Sequence, residues 1–437
     1  MRRFALILAS LALLTAAVPA VADTFKVGYG VSDITPEKAM PMWGYGARHD
    51  KLSEGVLDPL LCKAVVIDVG DEKLALVGLD LGRGPTAAMT GAIRKTVQEK
   101  AGVTHVLMSG SHTHHGPIIE LLDEPGKGGE RFPYAVEYAE ALPGKISKAI
   151  IEAAQNVQRA KIGWGARDTD FNRNRHTKKR PKPRDPELAV VRFDDLKGGM
   201  IALMVNFAAH PTIHKMNDRR FTSEWPGRMY QTVEAEMNTN CFFMQGAAGD
   251  LSANTNSERK GIDGFGKAIA AEVMDMAKDI ETRVPVTPDI RAMDEEFAYD
   301  MRIPIERPII QGAFKVAFFP ELVSAMLVEY ENSIMHARMD TVLLNGELAL
   351  VGGSGEFFCE HANRLKAESA APETLWIGYC NGHHMYFPTR DAIEEGGYGA
   401  DPLVSWVPPG AGEDMITKAL ENIDKFLGAF NAITARN

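Results

Sequence analysis

The sequence Ser-Gly-Ser-His-Thr-His-His-Gly-Pro at residues 109–117 holds three of the twelve histidines of the chain within four positions. It directly follows Thr104–Met108, a short apolar run next to glycine that predicts a buried strand. Because side chains alternate along an extended strand, His112 and His114 are predicted to point to the same side of its end. Neutral imidazole is the commonest metal ligand in proteins, so this pair predicts a metal or substrate site. The alternative is a polar turn with solvated histidines.

Composition places the chain among ordinary globular enzymes. Its 437 residues are 45% hydrophobic and 24% charged, which provides enough apolar material for a large core. The length is compatible with one large domain or with two closely packed ones. The formal net charge of −10 argues against a nucleic-acid-binding protein, since such proteins present a basic surface.

The first 22 residues have the features of a cleavable signal peptide. Basic residues at Arg2 and Arg3 precede an apolar stretch that ends near Leu14, and the small residues Ala20 and Ala22 fit an export peptidase. The apolar stretch is too short for a membrane-spanning helix. We therefore expect residues 1–22 to be removed, and residues 23–437 to form the folded domain of a periplasmic or secreted protein.

Predicted strands and helices alternate along the chain, with added hairpins. For example, Cys62–Val69 predicts a strand, Pro85–Ala101 a helix that begins at proline, and Asp340–Gly352 a hairpin around Asn345-Gly346. The apolar segment Ile309–Ser333 predicts either a pair of core helices or a flap over a site. This pattern indicates an α/β fold with mixed β-sheets flanked by helices, and a single catalytic domain with its active site at the C-terminal ends of strands.

A second histidine cluster ends another predicted strand. His210 follows the apolar run Met200–Phe207, just as His112 follows its own strand, so the two side chains are expected to line one pocket. If Pro211 begins a helix, His214 lies one turn further along the same face. The alternative role for a histidine before proline is that of a buried turn residue.

Glycine-rich loops follow other predicted strands. Residues 245–254 contain neither a phosphate-binding loop nor the elbow of a serine nucleophile, so we expect them to shape a pocket in which Asp250 orients a ligand or a neighbouring amide. Glu356 follows Gly-Gly-Ser-Gly and heads a predicted helix over Glu356–Ala367, where its carboxylate either serves the helix dipole or reaches a ligand. Tyr386 and Tyr398 lie in later glycine-rich loops, where tyrosines either pack or donate hydrogen bonds to an oxyanion.

Taken in order, these motifs resemble the catalytic part of the neutral/alkaline, non-lysosomal ceramidases. The motifs are Ser-Gly-x-His-Thr-His-x-Gly-Pro, Asn-Arg, Phe-Ala-x-His, Gly-Asp-x-Ser-x-Asn and Gly-Glu-Phe, preceded by Asp-Ile-Thr-Pro and Met-x-Gly-Tyr. The resemblance covers residues 25–260 and, more loosely, residues 340–405. It implies a zinc hydrolase domain over residues 23–437, without the C-terminal immunoglobulin-like domain of the family. Its expected activity is hydrolysis of an N-acyl amide bond, as in ceramide, by a metal-activated water.

The resemblance also implies roles for individual residues. The zinc (Zn2+) ligands would be His112, His210, Glu356 and Tyr386. The residues that bind the scissile amide would be His114, Arg173 and Tyr398. His114 would also carry the proton to the leaving nitrogen. The expected partner is a small-molecule or lipid N-acyl substrate, with transient contact to a membrane surface and no nucleic acid.

Other interpretations stay open at the level of sequence. The substrate could be another amide or an ester, because the immunoglobulin-like domain that accompanies membrane-borne lipid in the family is not expected here. His115 and the segment Asn174-Arg175 also depart from the family pattern. A metallo-β-lactamase-like hydrolase also begins with His-x-His, but it needs Asp-His next, where this chain has Gly116-Pro117. A serine hydrolase would use Ser252. A non-catalytic binding protein at the cell surface would keep a degenerate site.

Overall fold

A computed structural model describes residues 24–435, so the predicted signal peptide at residues 1–22 lies outside the described residues. Up to residue 280 the helices are α1 (Ala87–Ala101), α2 (Pro133–Gln155), α3 (Glu224–Met237) and α4 (Gly261–Asp279). The strands of this part are β1 (Phe25–Asp33), β2 (Gly55–Val56), β3 (Leu61–Val69), β4 (Glu72–Leu79), β5 (His105–Gly110), β6 (Gln158–Asp168), β7 (Asn172–Asn174), β8 (Glu187–Asp195), β9 (Met200–Phe207), β10 (Arg220–Phe221), β11 (Asn240–Gln245) and β12 (Leu251–Ala253).

The rest of the described chain adds a second set of strands and helices. The strands are β13 (Ile290–Asp300), β14 (Ile334–Leu344), β15 (Leu348–Gly353), β16 (Glu356–Phe357), β17 (Glu373–Ile377) and β18 (Tyr386–Phe387). The helices are α5 (Pro308–Ala317), α6 (Pro320–Met326), α7 (Cys359–Glu368), α8 (Arg390–Glu395) and α9 (Ala411–Thr434). None of the helices within residues 24–435 is long and apolar enough to cross a membrane.

Two mixed sheets organise these elements. The first has eight strands in the order β11-β9-β8-β6-β1-β3-β4-β5, and its parallel pairs are β4–β5 and β9–β11. The second has four strands in the order β13-β14-β15-β17, with β15 and β17 parallel. Because parallel neighbours end at the same edge of a sheet, the loops that follow them are brought together there.

The sheets pack face to face, and helices cover their outer faces. Val65 and Ile67 of β3 share one core with Val342 and Leu350 of the second sheet, whereas Val66 belongs to the core under α1 and α2. Helices α3 and α4 share a core with the first sheet, as α7 and α9 do with the second. Both faces of β3, β9, β11 and β15 are buried, so these strands are apolar almost throughout, whereas β6 and β13 carry exposed polar residues. The layers are therefore helix, sheet, sheet and helix.

The predicted mixed sheets with flanking helices are confirmed, and β14 and β15 pair as a hairpin around Asn345-Gly346, both at positive φ. The segment Ile309–Ser333 contains the helix pair α5 and α6. The helix predicted over Glu356–Ala367 is wrong at its start and begins only at Cys359, because β16 pairs in parallel with β18. Glu356 is therefore held by a strand rather than by the first turn of a helix.

The four cysteines are free thiols and all are buried. They are Cys62, Cys241, Cys359 and Cys380. Burial raises the pKa of each thiol above its usual value, which keeps the group protonated and unreactive.

Candidate active site

Loops from both sheets meet at one place. The loop after β5 carries His112, the loop after β9 carries His210, and Glu356 follows β15 of the second sheet. The strand β5 ends at Gly110, and His112 adopts a φ of 67°. The imidazole is therefore positioned by a tight turn and not by the pleat of an extended strand, although the predicted meeting of His112 and His114 is found.

Three acceptor atoms converge at the centre of this cluster. His112 Nε2 lies 3.0 Å from His210 Nε2. Glu356 Oε2 lies 3.4 Å from His112 Nε2 and 3.3 Å from His210 Nε2. No more than 4% of any of these three side chains is exposed. Three of the four predicted metal ligands thus lie together in a buried group.

The backbone fixes the second ring nitrogen of each histidine. His112 Nδ1 donates to the carbonyl of Gly82 at 2.7 Å, and His210 Nδ1 donates to that of Ala248 at 2.6 Å. A neutral imidazole that donates through Nδ1 has a lone pair at Nε2. Two lone pairs and the carboxylate oxygen of Glu356 therefore face one another, an arrangement that a cation or a shared proton stabilises. A proton can bridge two of the three atoms, whereas a metal ion can bind all three.

The spacing of the acceptors fits a small tetrahedral ion. Ligands about 2.0–2.1 Å from such an ion lie about 3.3 Å from each other, and the observed separations are 3.0, 3.3 and 3.4 Å. Two imidazoles and a carboxylate, with the outer nitrogen of each imidazole hydrogen-bonded to a carbonyl, form a ligand set typical of zinc sites. Two overlapping groups here could hold a metal ion, one of His112, His114 and His210 and the other of His112, Glu356 and His383.

His114 lies beside the cluster, with its Nε2 3.3 Å from His112 Nε2. Its carbonyl accepts a hydrogen bond from buried Arg48. Gly44 packs on its ring at a φ of +102°, and a Cβ there would come within 2.5 Å of the His114 side chain, so only glycine fits. Burial, and then the neighbouring imidazoles, lower the pKa of His114 well below its usual value. The ring is therefore neutral near pH 7, with a lone pair on one of its nitrogens.

Trp43 packs edge-on against three of the imidazoles. Its ring centroid lies 5.0 Å from that of His112, 5.5 Å from that of His114 and 5.4 Å from that of His383. Trp43 Nε1 donates to Glu120 Oε1 at 3.2 Å, which holds the indole in place. Trp43 lies in the loop Met-Trp-Gly-Tyr-Gly at residues 42–46. The composition of this loop alone does not predict which groups Trp43 contacts.

His383 and Tyr379 contact the carboxylate of Glu356. His383 Nε2 lies 3.2 Å from Glu356 Oε1, and the Tyr379 hydroxyl donates to Glu356 Oε2 at 3.5 Å. Burial alone would raise the pKa of Glu356, but its neighbours His112, His210 and His383 lower it well below its usual value. Glu356 is therefore ionised. Sequence reasoning missed His383, although its signal, a His-His pair in a Gly-rich loop, was present.

An arginine reaches the cluster, but it is Arg175 and not the predicted Arg173. Arg175 Nη2 lies 2.8 Å from His210 Nε2 and 3.1 Å from the Tyr386 hydroxyl. The Arg173 side chain is exposed and forms no hydrogen bond or ion pair with another residue of the described chain. Both arginines belong to Asn-Arg-Asn-Arg, where Arg175 lies about 7 Å further along the extended chain. That offset brings only the second arginine to His210.

Asp250 connects the segment of Arg175 to that of Glu356. Its backbone carbonyl accepts from the Arg175 amide at 2.9 Å. Its carboxylate accepts from the Cys359 amide at 2.8 Å and from the Asn174 side-chain amide at 2.5 Å. Asp250 therefore orients neighbouring amides, one of the two roles predicted for it.

Tyr386 and Tyr398 come together beside Arg175. Their hydroxyls lie 3.4 Å apart. Tyr386 is buried, whereas 67% of Tyr398 is exposed. Burial, and then the charge of Glu356, raise the pKa of Tyr386 well above its usual value, so the phenol keeps its proton and can donate it in a hydrogen bond. The two phenols and the guanidinium form a group of donors next to the acceptor cluster.

A cavity of about 370 Å³ opens onto these groups. Five residues of the site line it: His114, Glu356, His383, Tyr386 and Tyr398. Its apolar lining includes Met42, Ile118, Phe314, Phe318, Leu322, Met326, Met385, Leu403 and Val404. Since several of these belong to α5, α6 and the short link between them, the helix pair forms a wall of the cavity. The site is polar on one side and apolar around the rest.

Some residues singled out from the sequence lie apart from the cluster. His115 and His214 face each other, with ring centroids 4.9 Å apart, and no helix begins at Pro211, so His214 does not share a face with His210. Ser252 lies in β12, and within residues 24–435 its hydroxyl has no histidine hydrogen-bond partner. A serine nucleophile would therefore lack a general base.

Comparisons with known proteins bear on the family and the fold of the chain. Residues 25–264 match the family model for the N-terminal part of neutral/alkaline non-lysosomal ceramidases. The structure of neutral ceramidase from Pseudomonas aeruginosa is similar with a TM-score of 0.76 and 19% identity, over 93% of this chain and 75% of that one. A ceramidase complexed with C2 is similar with a TM-score of 0.72 and 18% identity, over 92% and 75% of the two chains. Because the family match spans more than half of the sequence, the chain belongs to the neutral/alkaline, non-lysosomal ceramidase family and is a ceramidase-like hydrolase of amide bonds.

Proposed function

We propose that this protein is an exported, zinc-dependent amidase that cleaves the N-acyl bond of a substrate with a long apolar chain. The observation that supports the proposal most directly is the position of three converging acceptors, 3.0–3.4 Å apart, next to a largely apolar cavity. The acceptors would supply the metal site, and the cavity would bind the apolar chain.

The residues that would hold zinc are His112 and His210 through Nε2 and Glu356 through Oε2. Tyr386, which the resemblance implies as a fourth ligand, keeps its proton and is assigned to the substrate instead. When bound, zinc polarises a carbonyl group and lowers the pKa of water towards about 7. The backbone carbonyls that accept from the outer nitrogens of His112 and His210 fix the orientation of both rings, and His383 does the same for the carboxylate.

The other groups of the site would act on the amide itself. Arg175 and the protonated phenol of Tyr386 would donate hydrogen bonds to the oxygen that becomes negative as the carbonyl is attacked, and Tyr398 would close the open side. His114 Nε2 would accept the proton of the attacking water and return it to the leaving nitrogen. Arg175 takes here the role that the sequence assigns to Arg173.

The cavity favours substrates with long apolar chains over short peptides. Burying each methylene group contributes about 0.8 kcal/mol, so an acyl or sphingoid chain of ten carbons would gain about 8 kcal/mol before the cost of its ordering. A short peptide offers little for Phe314, Leu322 or Met326 to bind. N-acyl sphingosines and N-acyl amino acids both satisfy this requirement, and they differ in the group on the nitrogen.

Metal analysis tests the ligand assignment. We expect mass spectrometry to find zinc in the wild-type protein and in His336→Ala, whose histidine is half-exposed in β14, but not in His112→Ala. Unchanged zinc in His112→Ala would exclude this ligand set. Circular dichroism of each variant separates lost metal from lost fold.

Activity and processing need separate experiments. Zinc-loaded protein would be assayed on N-acyl sphingosines, N-acyl amino acids and short peptides, and we expect turnover of the long-chain substrates only. Zinc binding without turnover of any acyl amide would instead indicate a binding protein with a degenerate site. Export would be tested by mass spectrometry of protein from the periplasm and the medium, where a chain that begins at Asp23 is expected.

A further inference from the structure

Helix α5 exposes an apolar face to solvent. Ile309, Gly312, Ala313 and Val316 are all exposed and follow the spacing i, i+3, i+4 and i+7, which places them on one side of the helix. Ile309 is 79% exposed and Val316 is 84% exposed. The solvent side of a surface helix is normally polar, so a contiguous apolar face of this kind indicates a binding surface.

The charges around α5 are sparse. Residues 308–320, Pro-Ile-Ile-Gln-Gly-Ala-Phe-Lys-Val-Ala-Phe-Phe-Pro, contain a single charged residue, Lys315, although 24% of the whole chain is charged. Beyond its two ends, Arg307 and the acids Glu306 and Glu321 are the nearest charged residues in the sequence. The basic and acidic residues balance, so this helix carries little net charge.

The adjoining side of the same helix lines the cavity of the candidate active site. Phe314 and Ala317 belong to the cavity lining, and Ala313 is both exposed and part of that lining. Two other lining residues, Tyr398 and Leu403, are 67% and 48% exposed. Apolar surface therefore continues from the outside of α5 over the rim and into the cavity.

We propose that the outer face of α5 docks on a lipid–water interface, so that an apolar substrate passes from the lipid directly into the cavity. An apolar helix face with little net charge, continuous with an apolar cavity, fits a lipid–water interface. A second copy of the chain is a poorer occupant, because a ten-residue helix is only about 15 Å long and a stable dimer buries about 800 Å² on each partner. Entry of substrate rests on the proposed function, but docking does not.

Flotation with lipid vesicles tests the docking. The vesicles would contain phosphatidylcholine with a minor fraction of phosphatidylglycerol, and the proteins would be wild type, Ile309→Asp/Val316→Asp and the control Val286→Asp, whose valine is 98% exposed outside α5. We expect the double variant to bind at least tenfold less, because tenfold corresponds to about 1.4 kcal/mol, less than the gain from burying an isoleucine and a valine. The control should bind within twofold of wild type.

Two further measurements make the outcomes decisive. Equal vesicle binding of all three proteins overturns the proposal. The proposal is also overturned if wild type binds no vesicles and analytical ultracentrifugation shows a wild-type dimer that becomes monomeric in the double variant. Turnover of a short-chain, soluble N-acyl substrate should be equal in all three proteins, since neither Ile309 nor Val316 lines the cavity. If wild type lacks turnover but binds vesicles through α5, docking stands and the proposed function fails.

Discussion

Replacing Arg175 with alanine should abolish most of the activity, and replacing Arg173 should not. The two residues lie two positions apart in one segment and have the same side chain, so each is a matched control for the other. Arg175 Nη2 is 3.1 Å from the Tyr386 hydroxyl and 3.0 Å from the carbonyl of Gly249. The side chain of Arg173 is exposed and, within the described chain, has no such partner.

The size of the effect follows from the proposed role of Arg175. Removing one donor from a site that stabilises an oxyanion typically lowers kcat by about 10²–10³-fold, which corresponds to about 2.7–4 kcal/mol. An exposed side chain without partners contributes within about 0.5 kcal/mol, or roughly twofold. We therefore expect Arg175→Ala to lose at least a hundredfold in kcat, and Arg173→Ala to remain within twofold of wild type.

The assay measures kcat and KM on a long-chain N-acyl substrate, together with zinc content. Because Arg175 Nη2 lies 2.8 Å from His210 Nε2, loss of its positive charge should not weaken metal binding. Equal zinc in both variants would show that the lost activity comes from the amide-binding group. Arg175→Lys retains the charge but not the planar fork, so partial activity is expected.

The reverse result would refute the assignment. If Arg173→Ala lost a hundredfold and Arg175→Ala did not, the first Asn-Arg pair would bind the amide and the contacts of Arg175 would be structural. Loss of zinc in Arg175→Ala would likewise contradict a role limited to the substrate.

Three other variants test the surroundings of the site. Glu120→Gln leaves buried Arg83 with one charged partner fewer, so we expect urea unfolding to show a loss of about 1–3 kcal/mol, and no loss would contradict this. Burial raises the pKa of Asp80 to about 7, so ionisation disfavours the folded state. The free energy of unfolding of wild type relative to Asp80→Asn should then fall by about 1.4 kcal/mol per pH unit between pH 4 and 7, and stay level above pH 7. A difference that does not change with pH would exclude the raised pKa of Asp80. Zinc at a hundredfold excess over its Kd should stabilise wild type by about 2.7 kcal/mol in thermal unfolding, but not His210→Ala.

The parts of the site that the sequence predicts are those encoded by short, contiguous signals. His112 and His210 each follow an apolar strand directly, so the strand and the side chain at its end can be recognised together. The mixed sheets could be predicted for the same reason, since apolar runs and turn residues are local features. The motif identified Glu356 as a site residue, but the strand that holds Glu356 was not predicted.

The remaining parts depend on contacts between distant segments. Local signals favour a helix at Glu356, yet β16 pairs with Tyr386 and Phe387, thirty residues later, and this pairing overrides the local preference. Whether Arg173 or Arg175 reaches the site depends on where their segment lies relative to His210, and the local sequence does not encode that position. His383 could not be assigned either, because its role exists only once Glu356 is in place.

The candidate ligands come from both sheets, and this couples metal binding to the fold. His112 and His210 follow strands of the first sheet, whereas Glu356 follows a strand of the second. Their acceptor atoms face one another at the junction of the two sheets, so an ion bound there would join the sheets and its binding energy would add to the stability of the folded protein. Apolar contacts across this interface, such as those of Val65 and Leu350, stabilise the same junction whether or not an ion is bound.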